Sequence, residues 1–259
     1  MKLEDKVAIV TGGGGGIGRT IALRFVREGA AVVVAGPTQE KITAVEKEIR
    51  AAGGRALAVL ASVASEPDVE RMVSATIAEF GRIDILVNNA GIAGPTSLIP
   101  DITREQWDET FAINLTGAFL CAKHSLPHMI PRASGCIVNI TSIAGLQAYA
   151  FRSPYCASKW GMIGLTQTLA EECGRHNITA NAIAPGPVYG PRIERVIQNR
   201  AREKKLSYEE TEREYVEPTA LKRMVDEEDI AAMAVFLASD EGHNITGETL
   251  NISGGYRLS

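Results

Sequence analysis

Short apolar runs alternate with longer stretches of helical periodicity along the chain. The first six runs are apolar at nearly every position, which is typical of strands covered by helices on both faces. Runs separated by helical stretches indicate βαβ units, and these predict an α/β fold with a doubly wound parallel sheet. Seven strands are predicted, at Val7–Thr11, Ala31–Ala35, Ala56–Leu60, Ile83–Asn88, Gly135–Thr141, Ile178–Ala184 and Thr249–Ile252. Helices are predicted between them, at Gly18–Glu28, Gln39–Ala52, Pro67–Phe80, Arg104–Met129, Pro154–His176 and Glu227–Ala238.

One segment, residues 186–218, departs from this alternation. It has no strand pattern and is highly charged, while Ile193, Val196 and Ile197 form an apolar stripe at helical spacing. Because the segment follows the carboxyl end of a strand, where ligands bind in open α/β sheets, we predict that it is a lid over a site. A solvated helical excursion is the alternative. No linker or repeat interrupts the chain, so we predict a single domain over residues 1–259.

The composition is that of a soluble globular protein. Of its 259 residues, 45% are hydrophobic and 22% are charged, and the formal net charge is −4. Both signs are spread along the chain, which indicates neither disorder nor a nucleic-acid surface. The longest apolar run, Ala231–Ala238, is far shorter than the roughly 20 residues that a membrane span needs. No signal-peptide core precedes the first strand, so we expect a cytoplasmic protein with neither membrane nor nucleic-acid partners.

Cysteine and histidine spacing gives no indication of a metal. The four cysteines are widely spaced, at Cys121, Cys136, Cys156 and Cys173. Without a Cys-x-x-Cys pair, we expect reduced and buried thiols. His124 and His128 are four apart, which suits two ligands on one helix face, but Pro127 lies between them and no third ligand is evident. No metal site is predicted.

A glycine-rich segment, residues 11–18, joins the first strand to the first helix. Glycines at such a junction let the backbone turn tightly and approach a pyrophosphate, whose charge is attracted by the free N–H groups of the helix start. The strand–loop–helix context therefore predicts a dinucleotide site. At the end of the second strand, Gly36-Pro37-Thr38 offers neither a carboxylate for a ribose diol nor a cation for a 2′-phosphate, unless Lys41 reaches back. The choice between NAD and NADP stays open.

Tyr155 and Lys159 lie four residues apart within a predicted helix. This spacing places both side chains on one face, where the ammonium lies close enough to act on the phenol. A free tyrosine has a pKa near 10, so a phenolate base at neutral pH needs stabilisation of about 3 to 4 kcal/mol. The lysine and an oxidised nicotinamide ring are candidate sources of that stabilisation. Spacing alone does not separate this pair from a chance occurrence.

The motifs together resemble the short-chain dehydrogenase/reductase family, in its single-domain branch. The resemblance extends from Lys6 to Gly255 and rests on these motifs in order: Thr11-Gly-x-x-x-Gly16-Ile17-Gly18, Asn88-Asn89-Ala90-Gly91, Asn114, Ser142, Tyr155-x-x-x-Lys159 and Pro185-Gly186. It implies a Rossmann fold and an NAD(P)-dependent oxidoreductase that interconverts a secondary alcohol and a ketone by hydride transfer.

The resemblance also implies a role for each catalytic residue. Tyr155 would be the general acid/base, and Lys159 would lower its pKa and bind the nicotinamide ribose. Ser142 would hydrogen-bond the substrate oxygen, and Asn114 would hold a water that links Lys159 to solvent.

The cofactor would be bound by residues from six segments of the chain. They are Thr11, Gly12, Gly15, Gly16, Ile17, Gly18, Gly36, Ser62, Val63, Asn88, Ala90, Gly91, Tyr155, Lys159, Pro185, Gly186 and Val188. Three positions depart from the family pattern. Ser62 stands where the family usually has Asp for the adenine amino group, Gly190 stands where many members have Thr, and Gly36-Pro37 lacks an Asp or Arg. We therefore expect activity with a less predictable cofactor preference.

Residues around Ser142 and Tyr155 and in the predicted lid are candidates for substrate contacts. They are Ile143, Gln147, Arg152, Pro187 and Tyr189. Arg152 would suit a carboxylate, sulfonate or phosphate, and the net basic stretch Arg192–Lys205 also favours an anionic small molecule.

Two further expectations concern the class and the assembly of the protein. A non-catalytic nucleotide-sensing regulator of the same fold is the alternative function, and such a protein is expected to lack Tyr155, Lys159 or Ser142, all of which are present. The apolar C-terminal segment Ala231–Leu258 corresponds to the region where relatives usually form subunit contacts. By that similarity we predict a homotetramer.

Overall fold

Seven strands form one parallel sheet in the computed structural model, which describes residues 1–256. The strands are β1 (Val7–Thr11), β2 (Ala31–Gly36), β3 (Ala56–Leu60), β4 (Ile85–Asn88), β5 (Gly135–Ile140), β6 (Ile178–Pro185) and β7 (Thr249–Ile252). Their order is β3-β2-β1-β4-β5-β6-β7. The direction of winding therefore reverses between β1 and β4, which opens a crevice at the carboxyl ends of these two strands.

Helices cover both faces of the sheet. They are α1 (Gly16–Arg27), α2 (Gln39–Ala51), α3 (Glu66–Phe80), α4 (Arg104–Phe111), α5 (Gly117–Met129), α6 (Ser153–Cys173), α7 (Pro191–Lys204), α8 (Tyr208–Val216) and α9 (Glu227–Ala238). Alternate residues of β1 enter two separate hydrophobic clusters: Ala8 and Val10 pack with α1 and α9, whereas Ile9 packs with α3 and α5. The predicted doubly wound fold is confirmed.

The predicted helix Arg104–Met129 is wrong as a single α-helix. A π-helical turn, Ala112–Thr116, separates α4 from α5 and contains Asn114. Asn114 is fully buried there, and its amide bonds to backbone outside the helix. These contacts hold one wider turn inside the helical run, as π-bulges commonly do near functional sites.

Smaller differences concern the ends of elements. β4 begins at Ile85 rather than Ile83, because the backbone N–H of Val7 bonds to the Asp84 carboxylate instead of continuing the ladder. β5 ends at Ile140, and α6 ends at Cys173, after which a 3₁₀ turn, Gly174–His176, completes the predicted helix. The four cysteines are buried and free, as expected.

The lid segment, residues 186–218, contains two helices, and the predicted apolar stripe lies on the first of them, α7, where Val196 and Ile197 are buried. Ser207 begins α8 with a capping box, and Glu214 on α8 pairs with Arg200 at 3.2 Å and with Lys204 at 2.5 Å on α7. The two helices are therefore tied to each other. The single-domain boundary stays a prediction, and the last positions of that domain and of the Ala231–Leu258 segment lie outside the described residues.

No helix within residues 1–256 has both the length and the apolar character needed to cross a membrane.

Candidate active site

A cavity of about 550 Å³ opens at the crevice between β1 and β4. Its walls come from the glycine loop before α1, the ends of β4, β5 and β6, the first turns of α6, and the lid. The cavity joins most of the candidate residues in one site. These are Gly12, Gly15, Gly16, Ile17, Ala90, Gly91, Ser142, Ile143, Arg152, Tyr155, Lys159, Pro185, Gly186, Pro187, Val188 and Tyr189.

The glycine loop has the shape that a pyrophosphate needs. A side chain at Gly18 would come within 2.4 Å of the Asn89 amide nitrogen and of the Gly12 carbonyl oxygen, so the loop can close only with glycine there. Gly12 adopts a φ of +64°, a left-handed backbone conformation that favours glycine. At Gly15 an added Cβ would meet nothing within 4 Å, so the backbone there borders open space.

The start of α1 is electrostatically suited to an anion. Gly15 is its N-cap and contributes no side-chain hydrogen bond, and the first turn carries no acidic residue. The free N–H groups and the positive end of the helix therefore face the open space above Gly15, while the Glu227 carboxylate of α9 lies beside Gly16. The residues present fit the diphosphate of a dinucleotide.

Thr11 and Asn88 support the site from behind. The Thr11 hydroxyl accepts hydrogen bonds from the backbone N–H groups of Asn89 and Ala90, at 3.0 and 3.1 Å. The Asn88 amide donates to Asn139 at 2.9 Å within the buried sheet. Neither residue lines the cavity, so both fix the backbone that does.

Three residues expected to bind the adenosine part of the cofactor lie outside the cavity lining. Gly36, Ser62 and Val63 do not line the cavity; the N–H of Ser62 bonds to Asp68, and Val63 packs on Gly117. Lys41 on α2 does line it, next to Gly14. Lys41 is therefore a cation that lines the cavity beside the glycine loop.

Lys159 is buried inside the site with few polar partners. Its ammonium donates to the carbonyl oxygen of Ile140 at 2.8 Å, and the Thr141 hydroxyl bonds to its backbone carbonyl. Burial, followed by the charge of Arg192, lowers the pKa of Lys159 to about 8, although Tyr155 opposes the shift. The group is thus able to exchange a proton near neutral pH.

Asn114 lies behind Lys159, in the π-helical turn. Its amide oxygen accepts from the N–H of Ile92 at 2.8 Å, while its nitrogen donates to the Ile92 carbonyl and to the Ser158 hydroxyl, both at 3.1 Å. A Cβ placed on Gly91 would lie 3.1 Å from the Asn114 oxygen and 3.6 Å from the Lys159 nitrogen. A side chain at position 91 would therefore crowd the space that Asn114 and Lys159 both border.

Tyr155 is surrounded by three cations. The guanidinium carbons of Arg152 and Arg192 lie 4.6 and 5.8 Å from the centre of its ring, and the Lys159 nitrogen lies 5.9 Å away. Burial alone would raise the pKa of Tyr155. The charges of Arg192, Lys159 and Arg152, together with the hydroxyl of Ser142, outweigh that effect and lower the pKa below its usual value. A phenol in this setting suits general acid/base chemistry.

Pro185, Gly186 and Val188 form the opposite wall, where β6 leads into the lid. The N–H of Gly186 bonds to the Ile252 carbonyl at 2.9 Å, and an added Cβ would lie 2.8 Å from the Cα of Ser253. Gly186 is thus packed closely against the residue that follows β7, and a side chain at this position would displace the wall.

A sequence model of one enzyme family covers most of this architecture. The model, described as short chain dehydrogenase, matches residues 6–201. The chain belongs to the short-chain dehydrogenase family. It is an NAD(P)-dependent oxidoreductase acting on a CH–OH group or the corresponding ketone.

Individual relatives match the dehydrogenase over nearly its full length. A 3-oxoacyl-(acyl-carrier-protein) reductase of Staphylococcus epidermidis is 38% identical over 253 residues, covering 97% of this chain and 98% of the relative. The structure of an NAD⁺-bound xylitol dehydrogenase aligns with a TM-score of 0.96 at 32% identity, covering 98% of this chain and 100% of the other. The structure of levodione reductase aligns with a TM-score of 0.93 at 34% identity, covering 98% of both chains. The comparisons give no support to a non-catalytic regulator.

Four of the five candidate substrate residues of the dehydrogenase line its cavity. Ile143, Arg152, Pro187 and Tyr189 do so, whereas Gln147 does not. The Gln147 amide instead donates to the Tyr149 hydroxyl at 2.6 Å and orients that ring, which lines the cavity in its place.

Sequence reasoning missed several residues that line the cavity of the dehydrogenase. They include Asn89, Tyr149, Arg192, Arg195, Tyr215 and Glu227. Asn89 lies inside a recognised motif, and Arg192 lies in the basic lid stretch, so a signal existed for both. Tyr215 and Glu227 reach the site only through the packing of α8 and the start of α9, which no local pattern reveals.

His124 and His128 do not form a pair of ligands. His124 instead approaches Glu66 at 2.9 Å and Glu70 at 3.9 Å, and these three side chains could in principle surround an ion. The Lys123 ammonium already lies 2.6 Å from the same Glu66 oxygen. The expected absence of a metal site stays a prediction.

Proposed function

We propose that Tyr155 is the general acid/base of this oxidoreductase. It would take the proton of the alcohol during oxidation and return it to the carbonyl oxygen during reduction. The observation that carries the proposal is the position of the Tyr155 phenol, in one cavity with the Lys159 ammonium, the Ser142 hydroxyl and the glycine loop.

Lys159, Ser142 and Asn114 have supporting roles in this proposal. Lys159 stabilises the phenolate, and Asn114, whose amide is anchored to Ile92 and Ser158, would hold a water that links Lys159 to solvent. Ser142 hydrogen-bonds the substrate oxygen, where charge develops in the transition state. The Ser142 hydroxyl is held in place because it accepts from the N–H of Ala144 at 3.1 Å.

The glycine loop and the wall at Pro185, Gly186 and Val188 would hold the dinucleotide at its two ends. The fit of the loop is supported by the open space over Gly15 and by the uncapped start of α1. When bound, NAD or NADP accepts or supplies a hydride at its nicotinamide ring. The preference between the two stays open, with Lys41 as the cation that would meet a 2′-phosphate.

The substrate that we propose is a small secondary alcohol or ketone carrying an acidic group, because the cavity near Tyr155 is lined by Arg152 and Arg192. The homotetramer, the cytoplasmic location and the absence of nucleic-acid and membrane partners are part of the same proposal, and they rest on the sequence.

A direct test follows nicotinamide absorbance with purified protein, both cofactors, and a panel of secondary alcohols and ketones that includes acidic members. We expect oxidation of at least one alcohol and reduction of the matching ketone. Absence of any absorbance change across the panel with either cofactor would contradict the proposed activity.

A further inference from the structure

Arg152 is a buried cation with an unpartnered guanidinium nitrogen. The residue is 8% exposed and lines the cavity, and its Nε has no hydrogen-bond partner. Within residues 1–256, no carboxylate lies close enough to form an ion pair with it. Buried guanidinium groups are normally bonded to a partner, because desolvating an unpaired charge is costly. A ligand that completes this site is therefore expected to bring acceptor atoms.

Positive charge dominates the whole Tyr155 end of the cavity. Arg192 and Arg195 of the lid line it as well, and neither forms an ion pair with the described residues. The one carboxylate among the described lining residues is Glu227. That carboxylate accepts from the Thr20 hydroxyl at 2.7 Å and lies between the phosphate loop and the lid, 3.6 Å from the Cβ positions of Gly16 and Gly190. It forms no ion pair with Arg152, Arg192 or Arg195, so these three cations have no ion-pair partner among the described residues.

Arg152 and Arg192 reach the same ring from different parts of the fold. Arg152 is the N-cap of α6 and belongs to the rigid body of the protein, whereas Arg192 lies in the first turn of α7 on the lid. Their guanidinium carbons lie 4.6 and 5.8 Å from the centre of the Tyr155 ring. An anion that touches both groups therefore lies next to the phenol, within a few bonds of a carbon whose oxygen bonds to Tyr155, since each bond adds about 1.5 Å.

We propose that Arg152 and Arg192 clamp an acidic group close to the reacting carbon, so that the substrate is a short hydroxy acid or oxo acid. The inference rests on the proposed role of Tyr155 and names the substrate class of that site. The acidic group is a carboxylate, sulfonate or phosphate, each of which accepts paired hydrogen bonds from a guanidinium.

The test compares acids with their neutral counterparts. Short 2-oxo and 3-oxo acids, their methyl esters and the matching oxo sulfonates and oxo phosphonates are assayed with saturating NADH or NADPH. The enzymes are the wild type, Arg152→Gln, Arg192→Gln and the control Arg202→Gln, which lies on α7 but does not line the cavity. The quantity measured is the ratio of kcat/KM for each acid to that for its ester.

We expect the wild type to favour the acid, and each clamp variant to lower the ratio by about 10- to 100-fold, as expected for a lost charge-assisted hydrogen bond. Arg202→Gln keeps the wild-type ratio. The acid series that shows the largest ratio identifies which acidic group is bound. Equal kcat/KM for acid and ester in the wild type would overturn the clamp while leaving the oxidoreductase in place. A variant that weakens cofactor binding at an unchanged ratio would also overturn it, because the arginine would then serve the cofactor.

A binding measurement keeps the clamp testable apart from turnover. Short hydroxy acids should raise the melting temperature of the cofactor-loaded wild type more than their amides do, and Arg152→Gln should lose this difference. Turnover of no compound would contradict the proposed function, whereas equal stabilisation by acids and amides would contradict the clamp.

Discussion

Two opposing electrostatic effects of the site act on the pKa of Tyr155. Burial raises its pKa, while Arg192, Lys159 and Arg152 lower it, and the cations prevail. The same surroundings lower the pKa of Lys159 to about 8, mainly through burial. The cationic pocket thus favours the phenolate, which is the form that oxidation of an alcohol requires.

Replacing Arg192 by Gln should move the pH profile of alcohol oxidation to higher pH. Loss of a positive charge destabilises the phenolate and raises the pKa of Tyr155, so the rate rises at a more alkaline pH than in the wild type. The shift should shrink in high salt, since Arg192 is exposed. The measurement is kcat/KM for oxidation against pH, with Arg202→Gln as the control. An unchanged or more acidic profile in Arg192→Gln would argue against the charge effect.

The candidate catalytic residues could be predicted from the sequence, but several other residues that line the cavity could not. Ser142, Tyr155 and Lys159 were identified by motif, and the cavity contains all three. Gln147 was misplaced because its amide turns to Tyr149 instead of to the cavity. Tyr215 was missed because its position depends on how α8 packs, which involves the Glu214 contacts with Arg200 and Lys204.

At the level of elements, the strands were predicted well because strands buried on both faces are continuously apolar. The helical pattern around Asn114 gave no sign of the π-helical turn, since hydrophobic spacing is nearly unchanged by one widened turn. The predicted start of β4 was too early. Ile83 is as buried as a strand residue, but the backbone N–H of Val7 bonds to the Asp84 side chain and not to a backbone carbonyl.

Asp84 is predicted to stabilise the junction of β1, β4 and β5. Its buried carboxylate accepts from the N–H of Val7 at 2.9 Å, from Arg82 at 2.6 Å and from Arg132 at 2.8 Å. Asp84→Ala should lower the free energy of unfolding by about 2 to 4 kcal/mol, because a buried donor and two cations lose their partner. Urea unfolding measures the change. Asp108→Ala, which removes an exposed pair with Arg104, should cost less than about 1 kcal/mol. A similar cost for both variants would contradict the special role of Asp84.

At the scale of the whole molecule, the order of the strands determines where the chemistry takes place. The reversal between β1 and β4 opens the crevice, and the connection after β6 supplies residues that line it. The glycine loop is suited to a dinucleotide, so we expect the substrate to be recognised by residues at the start of α6 and in the lid segment. The pattern of apolar residues predicted the order of strands and helices along the chain, whereas the positions of α7 and α8 in the lid segment are evident only from the structure.

The assembly of the chain is a further prediction at this scale. Large aromatic side chains are exposed on three successive helices: Trp107 on α4, Phe119 on α5 and Trp160 on α6. Exposed apolar surface of this kind favours association. We expect a solution mass of four times the 27.7 kDa chain, measured by light scattering after gel filtration. A mass equal to a single chain would contradict the homotetramer.

The central claim is that the Tyr155 phenol transfers the proton in the reaction. Replacement of Tyr155 by Phe removes only the hydroxyl, so cofactor affinity should stay nearly unchanged while kcat falls by about 100- to 10,000-fold. Tyr208→Phe, on a lid residue that does not line the cavity, should keep wild-type turnover. The decisive measurement is kcat of Tyr155→Phe by nicotinamide absorbance, alongside cofactor binding by fluorescence titration. Lost turnover with retained binding is the predicted result, and turnover at the wild-type rate would contradict the account.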